Sequence, residues 1–200
     1  MRLFQEGDEE AFRELVRRYK EPITSFVMRM LNDHDRALDV AQETFVNVFT
    51  HAGGYKPMAS FTGWLYRIAY NLAINEIRRQ RRQPVVSLDA ASDPEAPGGP
   101  RIEARDEGPG IEEDLLGRER REAVRRCVAS LPAKYRGAIV MKDMEGMTFD
   151  QIAGILGCPE STVKSRVMRG RRMIRSRLES YLRMADGTPA PGARVRAARR

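Results

Sequence analysis

The sequence predicts an all-α protein: two small helical domains joined by a flexible acidic linker. Three observations carry this. Apolar residues recur at helical spacing up to residue 82 and again from residue 113, and no alternating strand pattern appears anywhere. Between them, residues 83–112 hold five Pro, four Gly, seven acids and two Arg with no sustained apolar period, the composition of a chain that cannot bury a core. The length of 200 residues suits one or two small domains.

The elements follow in order. Asp8 can cap a helix bearing Phe12, Leu15, Val16 and Tyr19 at i, i+3, i+4, i+7. Pro22 fits the first turn of a second helix, with Ile23, Phe26, Val27, Met30 and Leu31 on one stripe. Asn32 and Asp33 punctuate. A third helix turns Ala37, Val40, Ala41, Phe45 and Val48 inward. "GGYKP" at 53–57 reads as a loop, and a helix then runs from about Thr62 to Arg82. After the linker, Glu112 to Ser130 is helical with Leu115, Leu116, Val124 and Val128. Leu131-Pro132 restarts the helix towards Tyr135, Ile139, Val140 and Met141. The stretch "EGMTFDQIAGILGCP" supplies a turn, a Thr148–Gln151 capping box and a short helix. Gly157 ends that helix and Pro159 opens the next. The tail 186–200 reads as disordered and basic.

Charge is unevenly placed. The whole chain is +7; the linker carries −5, so the remainder carries +12. That balance favours a polyanionic partner. Two cysteines, Cys127 and Cys158, make neither a disulfide framework nor a metal cluster. No apolar run reaches about 18 residues, so no membrane insertion is expected. The start "MRLFQEGDEEAF" lacks a secretory apolar region. A cytoplasmic protein is expected, with no cofactor and no metal.

The pair 148–156 and 159–180 has the form of a helix-turn-helix. In the second helix Val163, Val167, Gly170 and Ile174 make one buried stripe. The other faces carry Ser161, Thr162, Lys164, Ser165, Met168, Arg169, Arg171 and Arg172. The start of such a helix meets base edges in the major groove. Hydroxyls can bond bases or phosphates, Lys and Arg suit guanine, and Arg171 and Arg172 suit phosphates. The competing reading is a solvated basic helix. The capping box, short helix, tight turn and hydroxyl-rich basic start, taken together, argue against it.

The helix at 62–82, "TGWLYRIAYNLAINEIRRQRR", is the second basic element. Aromatics stand at its start, Arg78, Arg79, Arg81 and Arg82 at its end, and Asn71 and Asn75 share a face. Rings beside Asn and a basic end suit unstacked bases, with stacking contributing ~1–3 kcal/mol per base. Each aromatic alone fits a core equally well, and Asn71 alone fits an exposed position without function. On the third helix Asp39, Gln42, Glu43 and Val46 line the side opposite the apolar stripe. Residue types alone favour a solvated face there over a docking face.

"GDEEAFRELVRRY", "DVAQETFVNVF", "FTGWLYRIAYNLAINEIRR" and "LPAKYRGAIVMKDMEGMTFDQIAGILGCPESTVKSRVMRGRRMI" together resemble the extracytoplasmic-function group of bacterial RNA polymerase sigma factors, in the sigma-70 family. The likeness spans about residues 5–82 and 113–182. It implies a region two helical bundle at 1–82, for core polymerase binding and −10 recognition and melting. It implies a linker at 83–112 and a region four helix-turn-helix at 113–185 for −35 recognition. By this resemblance Asp39, Val40, Gln42, Glu43 and Phe45 pack on the β′ clamp helices of the polymerase core. Tyr55, Phe61, Trp64, Arg67, Asn71, Asn75, Arg78 and Arg79 serve the −10 element, with Asn71 at the position implicated in capturing a flipped base. The helix carrying Ser161 to Arg169 reads the −35 element, and residues 130–182 would touch the β flap. The linker would thread toward the RNA exit path, where its negative charge could mimic nucleic acid. Promoter DNA and polymerase core are the implied partners, and an anti-sigma factor is a further partner class. The family usually has several more residues before "MRLFQEGDEEAF". The function so implied is promoter-specific initiation by an alternative sigma factor.

No catalytic residue is expected: there is no P-loop and no zinc spacing, and His34 and His51 lack motif partners. A helix-turn-helix regulator acting without polymerase would need a ligand or phosphoacceptor domain, and residues 1–82 show no strands for one. A DNA-processing enzyme would need a carboxylate cluster for metal, whereas the acids gather in the linker.

Overall fold

The computed structural model describes residues 1–56, 60–82 and 111–185. Among these residues the secondary structure is helical throughout, with α1 at Arg2–Gln5, α2 at Glu9–Leu31, α3 at His34–Thr50, α4 at Phe61–Arg82, α5 at Ile111–Ala129, α6 at Ala133–Ile139, α7 at Phe149–Leu156 and α8 at Glu160–Ala185. The expected linker lies outside the described residues up to 110, as does the tail from 186, and helix α5 begins at Ile111.

The first unit packs α2, α3 and α4. Asp8 caps α2 by accepting from the Ala11 N–H at 3.1 Å. The helix then runs unbroken to Leu31 with Pro22 inside it, so the expected break at Pro22 does not occur. Proline removes one helical N–H, but the stripes on both sides of it bury against the same neighbours: Ile23, Phe26, Val27 and Met30 are fully buried, while Phe12, Val16 and Tyr19 pack on the cluster from the preceding turns. Asn32 closes α2 in the left-handed conformation (φ 55°), and Asp33 caps α3 by accepting from the Arg36 N–H. Ala37, Val40, Ala41, Phe45 and Val48 of α3 face inward, as do Leu65, Ala69 and Ala73 of α4. The alanines let the two axes approach closely. Buried Thr44 satisfies its hydroxyl on the Val40 carbonyl at 2.8 Å.

Two local elements go beyond the sequence reading. Helix α1 is anchored by Gln5, whose side-chain amide donates to the Ala52 and Tyr55 carbonyls at 2.7 and 3.0 Å. Phe4 joins Phe12 and Phe49 in a three-ring cluster with centroids 4.9–5.2 Å apart. Residues 140–144 continue α6 as a π-helical turn, with the Glu145 N–H bonding the Val140 carbonyl. A single π turn of this kind often marks a site with a job to do, and here it delivers Glu145 to the first unit.

In the second unit, α6 and α8 cross at close range. A Cβ on Gly170 would stand 2.6 Å from the Ile139 Cγ1, so any larger residue there would force the Ile139 side chain to shift. Val163 and Val167 of α8, Ile152 and Ile155 of α7 and Ile139 to Met141 complete the core. The capping box is formed in both directions, Thr148 accepting from the Gln151 N–H and Gln151 from the Thr148 N–H. Gly157 ends α7 at φ 60°, a left-handed conformation that favours glycine. The buried side chains of the two units form one contiguous cluster. No described helix is long and apolar enough to cross a membrane.

Candidate nucleic-acid interface

Helix α8 is held from beneath by Val163, Val167 and Gly170, which fixes its opposite face outward. Ser161, Lys164, Ser165, Met168, Arg169 and Arg172 are all exposed, and Thr162 is half-buried. Met168 is 65% exposed, an apolar group left in water among cations and hydroxyls. Such a group suits the thymine methyl. Lys164 pairs with Glu160 at 2.7 Å and lies over the Phe149 ring. Arg171 behaves differently from Arg172. Its guanidinium forks onto Asp143 at 3.0 and 2.5 Å, and that carboxylate raises its already high pKa. Arg171 is therefore tied to the π turn.

Beside this face lies a cleft of about 310 Å³ lined by Lys134, Tyr135, Ser161, Thr162, Ser165, Arg166 and Arg169. The Tyr135 phenol is held below its ordinary range chiefly by the hydrogen bond with Arg169 and further by Lys134; Lys134 Nζ stands 5.0 Å from its ring centroid. Three cations and four hydroxyls around one concavity make an anion-attracting wall. The sequence alone does not single out Lys134 and Arg166. Lys134 belongs to another helix, and Arg166 sits next to a buried valine; the basic residue in the first turn after Leu131-Pro132 is the one local signal.

Helix α4 presents a second face. Arg67, Asn71, Asn75 and Arg78 are exposed at spacings of four, four and three, which makes one continuous stripe. Asn75, Arg78, Arg79 and Arg82 border a basic concavity. Arg79 also pairs with Glu76 at 2.8 Å, and Arg36 joins the same carboxylate at 2.9 Å. Burial would raise the Glu76 pKa, but these two cations outweigh it and hold the carboxyl below its ordinary range. At the start of α4 the structure gathers Tyr55, Phe61 and Trp64, centroids 5.0–6.1 Å apart, with Tyr19 edge-on to Phe61. Tyr55 is buried; Phe61 and Trp64 are half-buried and keep part of their rings at the surface.

On α3, Asp39, Gln42 and Glu43 are exposed, whereas Val40 and Phe45 are buried at 6% and 9% exposure and belong to the core. The apolar groups that do reach the surface here are Val46 and Phe49, 61% and 53% exposed. Phe49 sits one turn beyond Phe45, and its exposure follows from where the α1 ring cluster leaves it.

Comparison with known proteins gives these surfaces a family. Residues 15–83 match the model of sigma-70 region 2, and residues 121–174 match that of sigma-70 region 4. The RNA polymerase sigma-H factor of Pseudomonas aeruginosa is 35% identical over 181 residues, covering 90% of this chain and 93% of that protein. The ECF RNA polymerase sigma-E factor of Escherichia coli K12 is 34% identical over 180 residues, covering 90% and 92%. Two solved structures share the fold. CnrH in complex with the cytosolic domain of CnrY has a TM-score of 0.63 at 21% identity, over 88% of this chain and 92% of that one. The sigma factor RpoE in complex with the anti-sigma factor NepR from Bartonella quintana has a TM-score of 0.62 at 22% identity, over 85% and 98%. With region 2 on the α2–α4 unit, region 4 on the helix-turn-helix and relatives matched over nine tenths of the chain, the protein belongs to the extracytoplasmic-function group of the sigma-70 family, alternative sigma factors that direct transcription initiation.

Proposed function

We propose that residues 1–82 bind core polymerase and the −10 element, that 113–185 read the −35 element, and that 83–112 link them. The observation that supports this reading is that one chain exposes two chemically different polar and basic faces, one on α8 and one on α4. The α8 face, with Ser161, Lys164, Ser165, Met168 and Arg172 outward, fits a duplex major groove about 12 Å wide. Thr162, Arg166 and Arg169 of α8, with Lys134 of α6 lining the same cleft, suit the flanking phosphates. The α4 face, with Arg67, Asn71, Asn75 and Arg78 beside the partly open rings of Phe61 and Trp64, suits an unpaired strand. Capture of an unstacked base there lowers the free energy of the open state.

The core-binding surface in this reading is Asp39, Gln42 and Glu43 with exposed Val46 and Phe49. Val40 and Phe45 hold that face in place from the core. An anti-sigma factor, the partner in one of the related structures, is a further partner class for this chain. No catalytic step is assigned to the chain itself, and its place of work is the cytoplasm.

Run-off transcription with purified core tests the reading. Adding the chain should yield promoter-dependent product, and the chain should co-purify with the β′ subunit; the absence of both would sink it. Asn71→Ala should weaken open-complex formation by about 5- to 150-fold, the ~1–3 kcal/mol of one base contact. It should leave −35 duplex binding unchanged, and equal loss of both would exclude base capture.

A further inference from the structure

The aromatic group at the start of α4 is assembled from three segments of the chain. Tyr55 comes from the loop after α3, Phe61 and Trp64 from the first turn of α4, and Tyr19 from the middle of α2. The Tyr55 and Trp64 rings stand 5.0 Å apart, and Tyr19 meets Phe61 edge-on at 5.4 Å. Two polar side chains tie these segments together.

The first is Gln5, the last residue of α1. Its amide donates to the Ala52 carbonyl at 2.7 Å and to the Tyr55 carbonyl at 3.0 Å, across 47 and 50 residues of sequence. Ala52 and Tyr55 bracket a turn whose middle is Gly53-Gly54, closed by the Tyr55 N–H on the Ala52 carbonyl at 3.1 Å. A glycine pair leaves the backbone wide conformational freedom. Gln5 clasps both ends of this turn and so sets how the Tyr55 ring meets Trp64. Gln5 is held in its turn by Phe4 beside it, which packs on Phe12 and Phe49. The second is Tyr19. Its hydroxyl is hydrogen-bonded to the Thr62 hydroxyl at 3.1 Å while its ring packs on Phe61. Tyr19 thereby pins the first turn of α4 to α2, and Ser60 caps that turn by accepting from the Gly63 N–H at 3.2 Å.

We propose that Gln5 and Tyr19 are positioning residues for promoter opening: they hold Phe61 and Trp64, with Tyr55 behind them, in the arrangement that receives an unstacked base. The inference rests on assigning α4 to the −10 element and goes beyond it by giving α1 a part in that work. A ring gives its full stacking energy only where its orientation is already set, because a base captured by a loosely held ring must also order it. Losing an anchor lowers the fraction of chains whose platform is formed, and the apparent affinity for the unpaired strand falls with that fraction.

Trp64 is the sole tryptophan of the chain, so its fluorescence reports the group directly. In Gln5→Ala, and in Gln5→Glu, which keeps the size but loses the amide donor, the emission should shift to longer wavelength and acrylamide should quench it more readily. Tyr19→Phe keeps the ring and loses only the hydroxyl; it should act in the same direction. Holoenzyme carrying each variant should open a promoter about 2- to 12-fold less, the net worth of one hydrogen bond, as read by permanganate reactivity of the −10 thymines. Circular dichroism and −35 duplex binding should stay at wild-type values. In a chain already carrying Trp64→Ala, adding Gln5→Ala should cost little further opening, since Gln5 acts through that ring. Unchanged Trp64 emission in both Gln5 variants would overturn the anchoring. Altered emission with wild-type opening, or a Gln5→Ala loss undiminished by Trp64→Ala, would overturn the positioning role. If wild-type holoenzyme opens no promoter, the −10 assignment fails and the positioning role with it, whereas Trp64 emission still reports the anchoring by itself.

Discussion

Glu76 shows how one side chain does work that its residue type conceals. It lies in the buried stripe of α4 at 9% exposure and gathers Arg36, Arg79 and Gln80. Its folded pKa is depressed, so its stabilisation is present above the unfolded value of about 4.5 and is lost as pH falls through the folded value. Glu76→Gln should lower stability near neutral pH by about 1–3 kcal/mol, the scale of a hydrogen bond to a charged group. It should also flatten the acid limb of a urea-midpoint-versus-pH curve, and an unchanged acid limb would show that another carboxylate dominates. Met168 makes the complementary case. Nothing in the protein needs a 65% exposed methionine there, so Met168→Ala should leave the melting temperature unmoved while changing the preference among −35 sequences in a binding selection.

The helices behave as their punctuation directs, with one exception. Thr148 and Gln151 close the capping box on α7, and Gly157 takes the left-handed turn. Thr148→Ala should cost about 1 kcal/mol of stability. Gly170→Val would drive a larger side chain into Ile139 and should cost about 1–3 kcal/mol. By shifting α8 on α6 it should also weaken −35 duplex binding, as titration by fluorescence anisotropy would register. The exception is Pro22. An interior proline ordinarily costs a helix about 3 kcal/mol, and α2 carries it because both flanking turns are buried in the same cluster. Pro22→Ala should accordingly raise stability by about 1–3 kcal/mol in chemical denaturation; a decrease would mean that the proline shapes α2 in a way its neighbours depend on.

At the scale of the whole molecule, charge and connectivity decide behaviour. A chain whose cations gather on α4, α8 and the Lys134 cleft should bind DNA with a steep salt dependence. Replacing exposed Arg172 with Ala should reduce the log–log salt slope by about one, whereas Arg171→Ala should first release Asp143 and so change stability as well. Much of the architecture was legible beforehand. The stripes on α2, α3 and α4, the capping box and the Gly-Cys-Pro turn are local features, written in residues three to seven apart, and helix formation and capping act over those same distances. The candidate faces were legible to the same extent: Asn71 and Asn75, or Ser161 to Arg172, follow from periodicity along one helix.

What periodicity could not supply is which residues of different helices meet. Val40 and Phe45 fit the resemblance to a polymerase-binding stretch, but packing sends them inward and leaves Val46 and Phe49 at the surface. Lys134 and Arg166 become neighbours because α6 crosses α8 at a glycine. Arg171 is drawn to Asp143, Glu145 to Arg29 and Tyr66, and Arg136 to the end of α2, over separations of 28 to 116 residues. Local sequence thus determined the helices, their caps and the chemistry each face offers. Only the tertiary structure decided which faces stay open and which close on one another, because burial and hydrogen-bond partners across such separations are set by the packing of whole helices and leave no repeat in the sequence.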